Sequence, residues 1–107
     1  MTETHDDVWE CYSCAFNEVV TGLGGLHERL LAAMTWLRKA PKLPEPKDEF
    51  DAKVFGPLPK LLERGERLDE MTNKEMIDLA WDIYRIYDEV TVAGENQAQL
   101  LYAAECE

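Results

Sequence analysis

Two cysteines separated by two residues carry the most specific chemistry in this 107-residue sequence. On a helix, Cys11 and Cys14 lie on one face, so their thiols can share a metal ion or form a disulfide. An antiparallel arrangement of the first and last helices would bring Cys106 close to Cys11. His5 precedes Cys11 by about one to two helical turns. These four side chains would then form a Cys3His zinc site.

The simpler interpretation is that Cys11 packs in the core and the other two cysteines have no chemical role. A zinc centre usually carries two Cys-x-x-Cys pairs, and this sequence has one. A redox pair of the thioredoxin type is a third alternative, although the Gly-Pro centre and the preceding strand of such a site are missing. We therefore expect no cofactor and keep metal binding as an alternative.

Carboxylates at short spacing offer a second chemistry. Glu63 with Glu66, and Glu75 with Asp78, resemble the Glu-x-x-Glu and Glu-x-x-Asp pairs with which helical pyrophosphatases cleave nucleoside triphosphates. Gly65 and a helix start near residue 72 put the two pairs on different elements, and such pairs arise often in an acidic chain. We expect a protein that is not an enzyme, with a magnesium-dependent nucleotide pyrophosphohydrolase as an alternative.

The distribution of charge is the more unusual feature. The chain has 22 acidic residues and 11 Lys or Arg, a net charge of -11, and nine of the eleven bases lie between residues 38 and 74. Elsewhere the acids follow one another on predicted helices with few intervening lysines, whereas a solvated helix face usually alternates both signs. These acids are predicted to contact a partner. They are Asp7, Glu10, Glu75, Asp78, Asp82 and Glu89.

Apolar residues at three- and four-residue steps predict that these side chains are positioned by helices. The first periodic segment spans residues 1–40 and continues past Gly22, Gly24 and Gly25. Because the apolar register survives the glycines, we favour a continuous helix or one kinked at residues 22–25. The alternative is two helices that meet near Gly24.

A proline-rich connector over residues 41–71 is expected to hold one or two short helices. The last long helix, residues 72–105, begins at a capping box formed by Thr72 and Glu75. The predicted fold is all-α: a small helical bundle in one domain, with two long, antiparallel amphipathic helices joined by the connector.

Aromatic residues on the last helix exceed what a single helix–helix contact needs. Trp81, Tyr84 and Asp88 share a face that differs in part from the row of Leu79 and Ile83. We expect the tryptophans to pack in the core. The alternative is that this face receives a third helix or a partner.

Several classes are excluded by composition. No apolar run approaches the ~20 residues of a membrane span, and the acidic start of the chain is unlike a secretory signal. An odd number of cysteines, three, favours a reducing, cytoplasmic setting. The acidity disfavours direct binding of nucleic acid.

The leading hypothesis is a non-enzymatic interaction protein or inhibitor that presents acidic helix faces to a basic partner. A row of carboxylates can imitate the phosphates of nucleic acid, so the natural target is the nucleic-acid site of a protein. The apolar rows also allow a homodimer. In composition the chain is similar to small acidic helical inhibitors of phages and mobile elements, such as anti-CRISPR proteins, but no motif identifies a family.

Overall fold

The computed structural model describes the backbone of residues 3–41, 43 and 45–106, and the side chains of residues 4–41, 43 and 45–96. All regular structure in this part of the chain is helical, which confirms the predicted class. The elements are α1 (Glu3–Thr21), α2 (Leu26–Arg38), α3 (Glu49–Phe55), α4 (Pro57–Gly65), a 3-10 turn (Leu68–Glu70) and α5 (Asn73–Cys106).

The first 40 residues form a helical hairpin, so the expectation of one continuous helix is wrong. Between α1 and α2, Gly24 has a φ of 95°, a conformation that glycine adopts without strain. The chain reverses there, and the Arg29 guanidinium on α2 donates a 2.9 Å hydrogen bond to the Val19 carbonyl on α1. The apolar register continues past the glycines because α1 and α2 turn their apolar faces toward the same core.

The first and last helices run antiparallel, as the sequence predicts. Near the start of α1, the Trp9 indole donates a 2.9 Å hydrogen bond to the Thr91 hydroxyl on α5. Near its end, the ring centroids of Phe16 and Tyr84 lie 5.3 Å apart. A later position on α1 therefore meets an earlier position on α5, with α1 between α5 and α2.

The two predicted short helices are present, and local signals explain where they and α5 begin. The Asp48 carboxylate caps α3 by accepting a 2.8 Å hydrogen bond from the Asp51 amide. Pro57 occupies the tolerated first turn of α4. At the start of α5, the Glu75 amide donates to the Thr72 hydroxyl over 3.2 Å, and the Thr72 amide donates to the Glu75 carboxylate over 3.3 Å.

Tyr12 is the largest fully buried side chain of α1 and connects α1 to α3. Its hydroxyl donates a 2.8 Å hydrogen bond to the Val54 carbonyl. Val54 lies in the last turn of α3, where backbone carbonyls have no partner within the helix. The phenol therefore satisfies a backbone group that would otherwise be buried without a hydrogen bond.

His5 and Asp51 form a second buried connection between α1 and α3. The His5 Nε2 atom lies 2.5 Å from the Asp51 Oδ1 atom, and the His5 ring stacks on Phe55 with centroids 5.1 Å apart. The Lys47 amide donates a 3.0 Å hydrogen bond to the other carboxylate oxygen. This amide, followed by the contact with His5, lowers the pKa of Asp51.

Replacing Tyr12 with Phe is expected to lower the free energy of unfolding by about 1–2 kcal/mol, because the Val54 carbonyl loses its partner in a buried site. Urea denaturation followed by circular dichroism measures this change. Tyr84→Phe is the matched control, since Tyr84 is 42% exposed, and its effect should stay within about 0.5 kcal/mol. Equal effects of the two substitutions would show that the hydroxyl of Tyr12 contributes nothing.

Asp51→Asn is expected to destabilise the protein at neutral pH, with a deficit that shrinks as the pH falls. The folded-state pKa of Asp51 lies below the unfolded value of about 3.9, so the carboxylate stabilises the fold fully above that value. The stabilisation is lost as the pH falls through the lower, folded-state pKa. Urea midpoints measured between about pH 7 and pH 3 test this.

Asp69→Asn is the control for the same titration. Asp69 also contacts a histidine, with its Oδ1 atom 2.8 Å from the His27 Nε2 atom, but its side chain is 87% exposed. We expect the stability of the Asp69→Asn variant to change with pH in parallel with that of the wild type. A parallel curve for Asp51→Asn as well would contradict the role given to the buried carboxylate.

Candidate protein-interaction surface

The predicted cysteine pair lies on α1 beside the end of α2. Cys11 is buried next to Trp36 and Lys39 in a small groove of about 210 Å³, and Cys14 is half-buried one turn further along α1. Burial raises the pKa of the Cys11 thiol, and the negative charges of Cys14 and Glu10 raise it further. Cys11 is therefore a weaker nucleophile than an exposed thiol.

The described side chains do not assemble the predicted zinc site. Nowhere among them do three His, Cys, Asp or Glu residues lie close enough together to hold a metal ion. His5 contacts Asp51 on α3, and the side chain of Cys106 lies outside the described residues. Metal binding by Cys11 and Cys14 stays a prediction.

Three of the predicted partner-binding acids on α5 face the basic side of α4. Asp82 forms ion pairs with Arg64 on α4 and with Arg85 one turn along α5, and its side chain is 24% exposed. Glu75 and Asp78 border a groove of about 630 Å³ that Arg64 also lines. Asp82 is thus paired with two arginines, and three bases line the groove of Glu75 and Asp78 together with Glu63 and Glu70, so this part of α5 does not present an unbroken row of negative charge.

The remaining predicted acids lie apart from these. Asp7 and Glu10 line the small groove next to Lys39, whose ammonium lies 4.2 Å from the ring centroid of Trp36. Glu89 is exposed on α5.

Three of the four carboxylates considered for magnesium binding line one groove. Glu63, Glu75 and Asp78 line the 630 Å³ groove, but Glu66 does not, and Lys60 and Arg67 line it as well. Cations among the carboxylates oppose the binding of a divalent metal ion. The geometry therefore adds no support to the nucleotide hydrolase alternative, which stays untested.

A different groove carries the largest exposed apolar surface. It encloses about 450 Å³ between the end of α1, the start of α2 and the first half of α5. Every lining side chain is aliphatic or aromatic. We call it the apolar groove, and its lining residues are Phe16, Val19, Val20, Leu26, Ile77, Ala80, Trp81 and Tyr84.

Trp81 corrects the expectation that the tryptophans pack in the core. It is 64% exposed at the rim of the apolar groove, next to Val20 at 58% and Ile77 at 47%. Trp9 and Trp36, in contrast, are half-buried. Small soluble proteins rarely leave a contiguous patch of large apolar side chains exposed unless it binds something.

Beyond the apolar groove, acidic side chains lie on the same side of α5. At about 100° per residue, five of the exposed residues of α5 fall within a sector of about 60°. These residues are Ile77, Trp81, Tyr84, Asp88 and Glu95. The side of α5 that lines the groove is thus apolar in its first half and acidic in its second.

The neighbouring helix α1 repeats this order because it runs in the opposite direction. Val20 lines the apolar groove, and Asp6 lies about 40° away from it around α1, near the other end of the helix. We call Asp6, Asp88 and Glu95, all exposed, the acidic end. The apolar groove and the acidic end together are the α1/α5 surface.

The helices that border this surface hold nearly all of the net charge of the chain. Helix α1 has five acids and no Lys or Arg, and α5 has seven acids against two bases, a net charge of -10 for the pair. The chain as a whole has a net charge of -11. The nine Lys and Arg residues between residues 38 and 74 offset the negative charge of the acids in that segment and of the acids on the side of α5 that faces α4. They leave the α1/α5 surface negative.

Comparison of the chain with protein-family models, curated proteins and solved structures found no significant match. Within the described residues, every helix is too short or too polar to cross a membrane. The fold and the site therefore define a class by structure alone: a small, acidic, all-helical protein with one apolar groove that opens at its surface.

The two cysteines of α1 are expected to react at different rates. Iodoacetamide should label Cys14 on the order of tenfold faster than Cys11 in the native protein, because the Cys11 thiol is buried and has a raised pKa. Peptide mass spectrometry after timed quenching measures both rates. In urea the two rates should converge. Faster labelling of Cys11 in the native protein would contradict its burial.

Proposed function

We propose that this protein is a non-enzymatic interaction module that binds a basic partner protein through the α1/α5 surface. The observation that carries the proposal is the exposure of Trp81, 64%, in a groove without polar lining residues. Tryptophan is enriched among the residues that dominate binding energy at protein interfaces. The negative charge of the acidic end beside the groove favours a partner with a positively charged surface.

The electrostatics of the surface favour a partner that binds nucleic acid. Such proteins carry clustered Lys and Arg, and carboxylates can occupy the positions of phosphates. In this proposal the protein acts as an inhibitor or competitor of nucleic-acid binding. A cytoplasmic setting fits the free thiols of Cys11 and Cys14.

The interaction combines a short-range and a long-range contribution. Burial of the apolar groove supplies affinity, in proportion to the apolar area removed from water. The charge of α1 and α5 accelerates association with a basic surface and weakens as salt increases. Affinity should therefore depend mainly on the groove, and the salt dependence mainly on the acidic end.

Affinity capture followed by quantitative binding tests the proposal. The immobilised protein captures partners from a lysate of its source cells, and isothermal titration calorimetry then measures the purified partner. Trp81→Ala is expected to weaken binding about 30-fold or more, because tryptophan is enriched among the side chains whose truncation costs most at interfaces. Leu31→Ala is the matched control, because Leu31 is 41% exposed on α2, outside the α1/α5 surface.

A pair of charge reversals separates position from net charge. Asp88→Lys with Glu95→Lys changes the acidic end, whereas Glu45→Lys with Glu66→Lys makes the same change in net charge at exposed sites elsewhere. Only the first pair should slow association and flatten its salt dependence. A partner bound equally well by all variants, or a captured partner that is itself acidic, would refute the proposal.

A further inference from the structure

The α1/α5 surface has an apolar end and an acidic end. The order of the two ends predicts how apolar and basic residues are arranged in the partner. Building on the function proposed above, we infer that the surface receives one amphipathic helix of the partner, apolar along one half and basic along the other. The helix would lie lengthwise between α1 and α5 and complete a three-helix contact.

The two helices of the surface pack side by side, an arrangement on which a third helix can lie lengthwise. The contact of Phe16 with Tyr84 joins them at the apolar end, and the hydrogen bond from Trp9 to Thr91 joins them nearer the acidic end. The ridge of side chains on a docked helix can enter a groove between two packed helices. From Ile77 to Glu95 the surface runs about 27 Å, the length of a helix of about 18 residues.

A helix is favoured over an extended segment by the need for backbone hydrogen bonds. Within the described residues the surface is made of helices, whose backbone groups are already paired, and it offers no strand edge. An extended segment buried there would leave its own N–H and C=O groups without partners. A helix satisfies these groups internally and can bury an apolar face.

Charge decides against a second copy of this chain as the occupant. A second copy would present the same acidic end, Asp6, Asp88 and Glu95, which cannot form ion pairs with the same acids of the first copy. Like charges oppose such an association. A partner helix with Lys or Arg opposite Asp88, Glu95 and Asp6 converts the same charges into attraction.

The spacing of the surface also predicts the sequence pattern of the partner helix. The apolar groove extends over about two helical turns from Ile77 to Tyr84, so three or four apolar anchors at steps of three and four residues fill it. Lys or Arg should follow about one to three turns later on the same face of the partner helix, where they meet Asp88 and Glu95.

Synthetic peptides test this inference on the full-length protein. The probe is an 18-residue capped peptide with four apolar anchors at helical spacing in its first half and four lysines on the same face of its second half. One comparison peptide has the same composition in an order without an amphipathic face. The other has glutamate in place of lysine. Two-dimensional ¹H–¹⁵N NMR titration locates binding on the protein, and circular dichroism follows the peptide.

The probe should bind with micromolar affinity, gain helicity and shift the signals of the α1/α5 surface, including the indole N–H of Trp81. Both comparison peptides should bind at least about tenfold more weakly. Trp81→Ala should weaken binding of the probe by a similar factor. Asp88→Lys with Glu95→Lys should weaken it less and flatten its salt dependence. The affinity for the probe should be unchanged in the control variants, which are Leu31→Ala and the double variant Glu45→Lys with Glu66→Lys.

Three results would overturn the inference. The first is equal binding of the two lysine peptides, and the second is a set of shifts centred on the groove of Lys60, Arg64 and Arg67. The third is a dimer of the chain in analytical ultracentrifugation that buries Trp81 and excludes the probe. If binding of the captured partner depends on Trp81 but the partner docks an extended segment, this inference fails and the proposed function stands. If neither the probe nor any partner depends on Trp81, the proposed function fails with it.

Discussion

The reversal of the chain at residues 22–25 is the constraint on which the rest of the structure depends. Gly24 adopts a φ of 95°, and this turn brings α2 back along α1. Because α2 covers one side of α1 and α3 closes over Tyr12, a third side of α1 remains for α5. A straight helix over the same residues could not have folded back on itself to bury its own apolar face.

The apolar groove follows from the same geometry. Helix α1 carries two neighbouring apolar rows, and the row with Val8 and Tyr12 is fully buried. The second row turns toward α5, where Phe16 is half-covered and Val20 is left at the surface. A third helix long enough to cover this row and Trp81 is absent from the part of the chain that the structure describes. The exposed groove is thus the uncovered remainder of the contact between α1 and α5, and it is the surface on which the proposed helix would dock.

The arrangement of charge separates structural carboxylates from exposed ones. Arg64 on α4 reaches Asp82, and Lys60 and Arg67 line a groove with Glu75 and Asp78. These contacts attach the connector to α5 and offset the local negative charge. The acids that face solvent beside the apolar groove have no such basic element packed against them. The acidic surface is therefore narrower than the acidity of the chain suggests, and it lies along α1 and the second half of α5.

Several elements followed directly from the sequence, and the physical reason is that they depend on residues close together in the chain. The helical class, the short helices of the connector and the capping box at Thr72 were predicted from local pairs and from apolar period. Only the tertiary structure decided that residues 22–25 form a reversal, because kink and turn share the same glycines and the same apolar register. It also decided that Trp81 is exposed while Tyr12 is buried, since both lie on amphipathic helices and only the number of covering helices distinguishes them. The partners of Asp82 and of His5 lie 18 and 46 residues away in the chain, a distance over which local spacing carries no information.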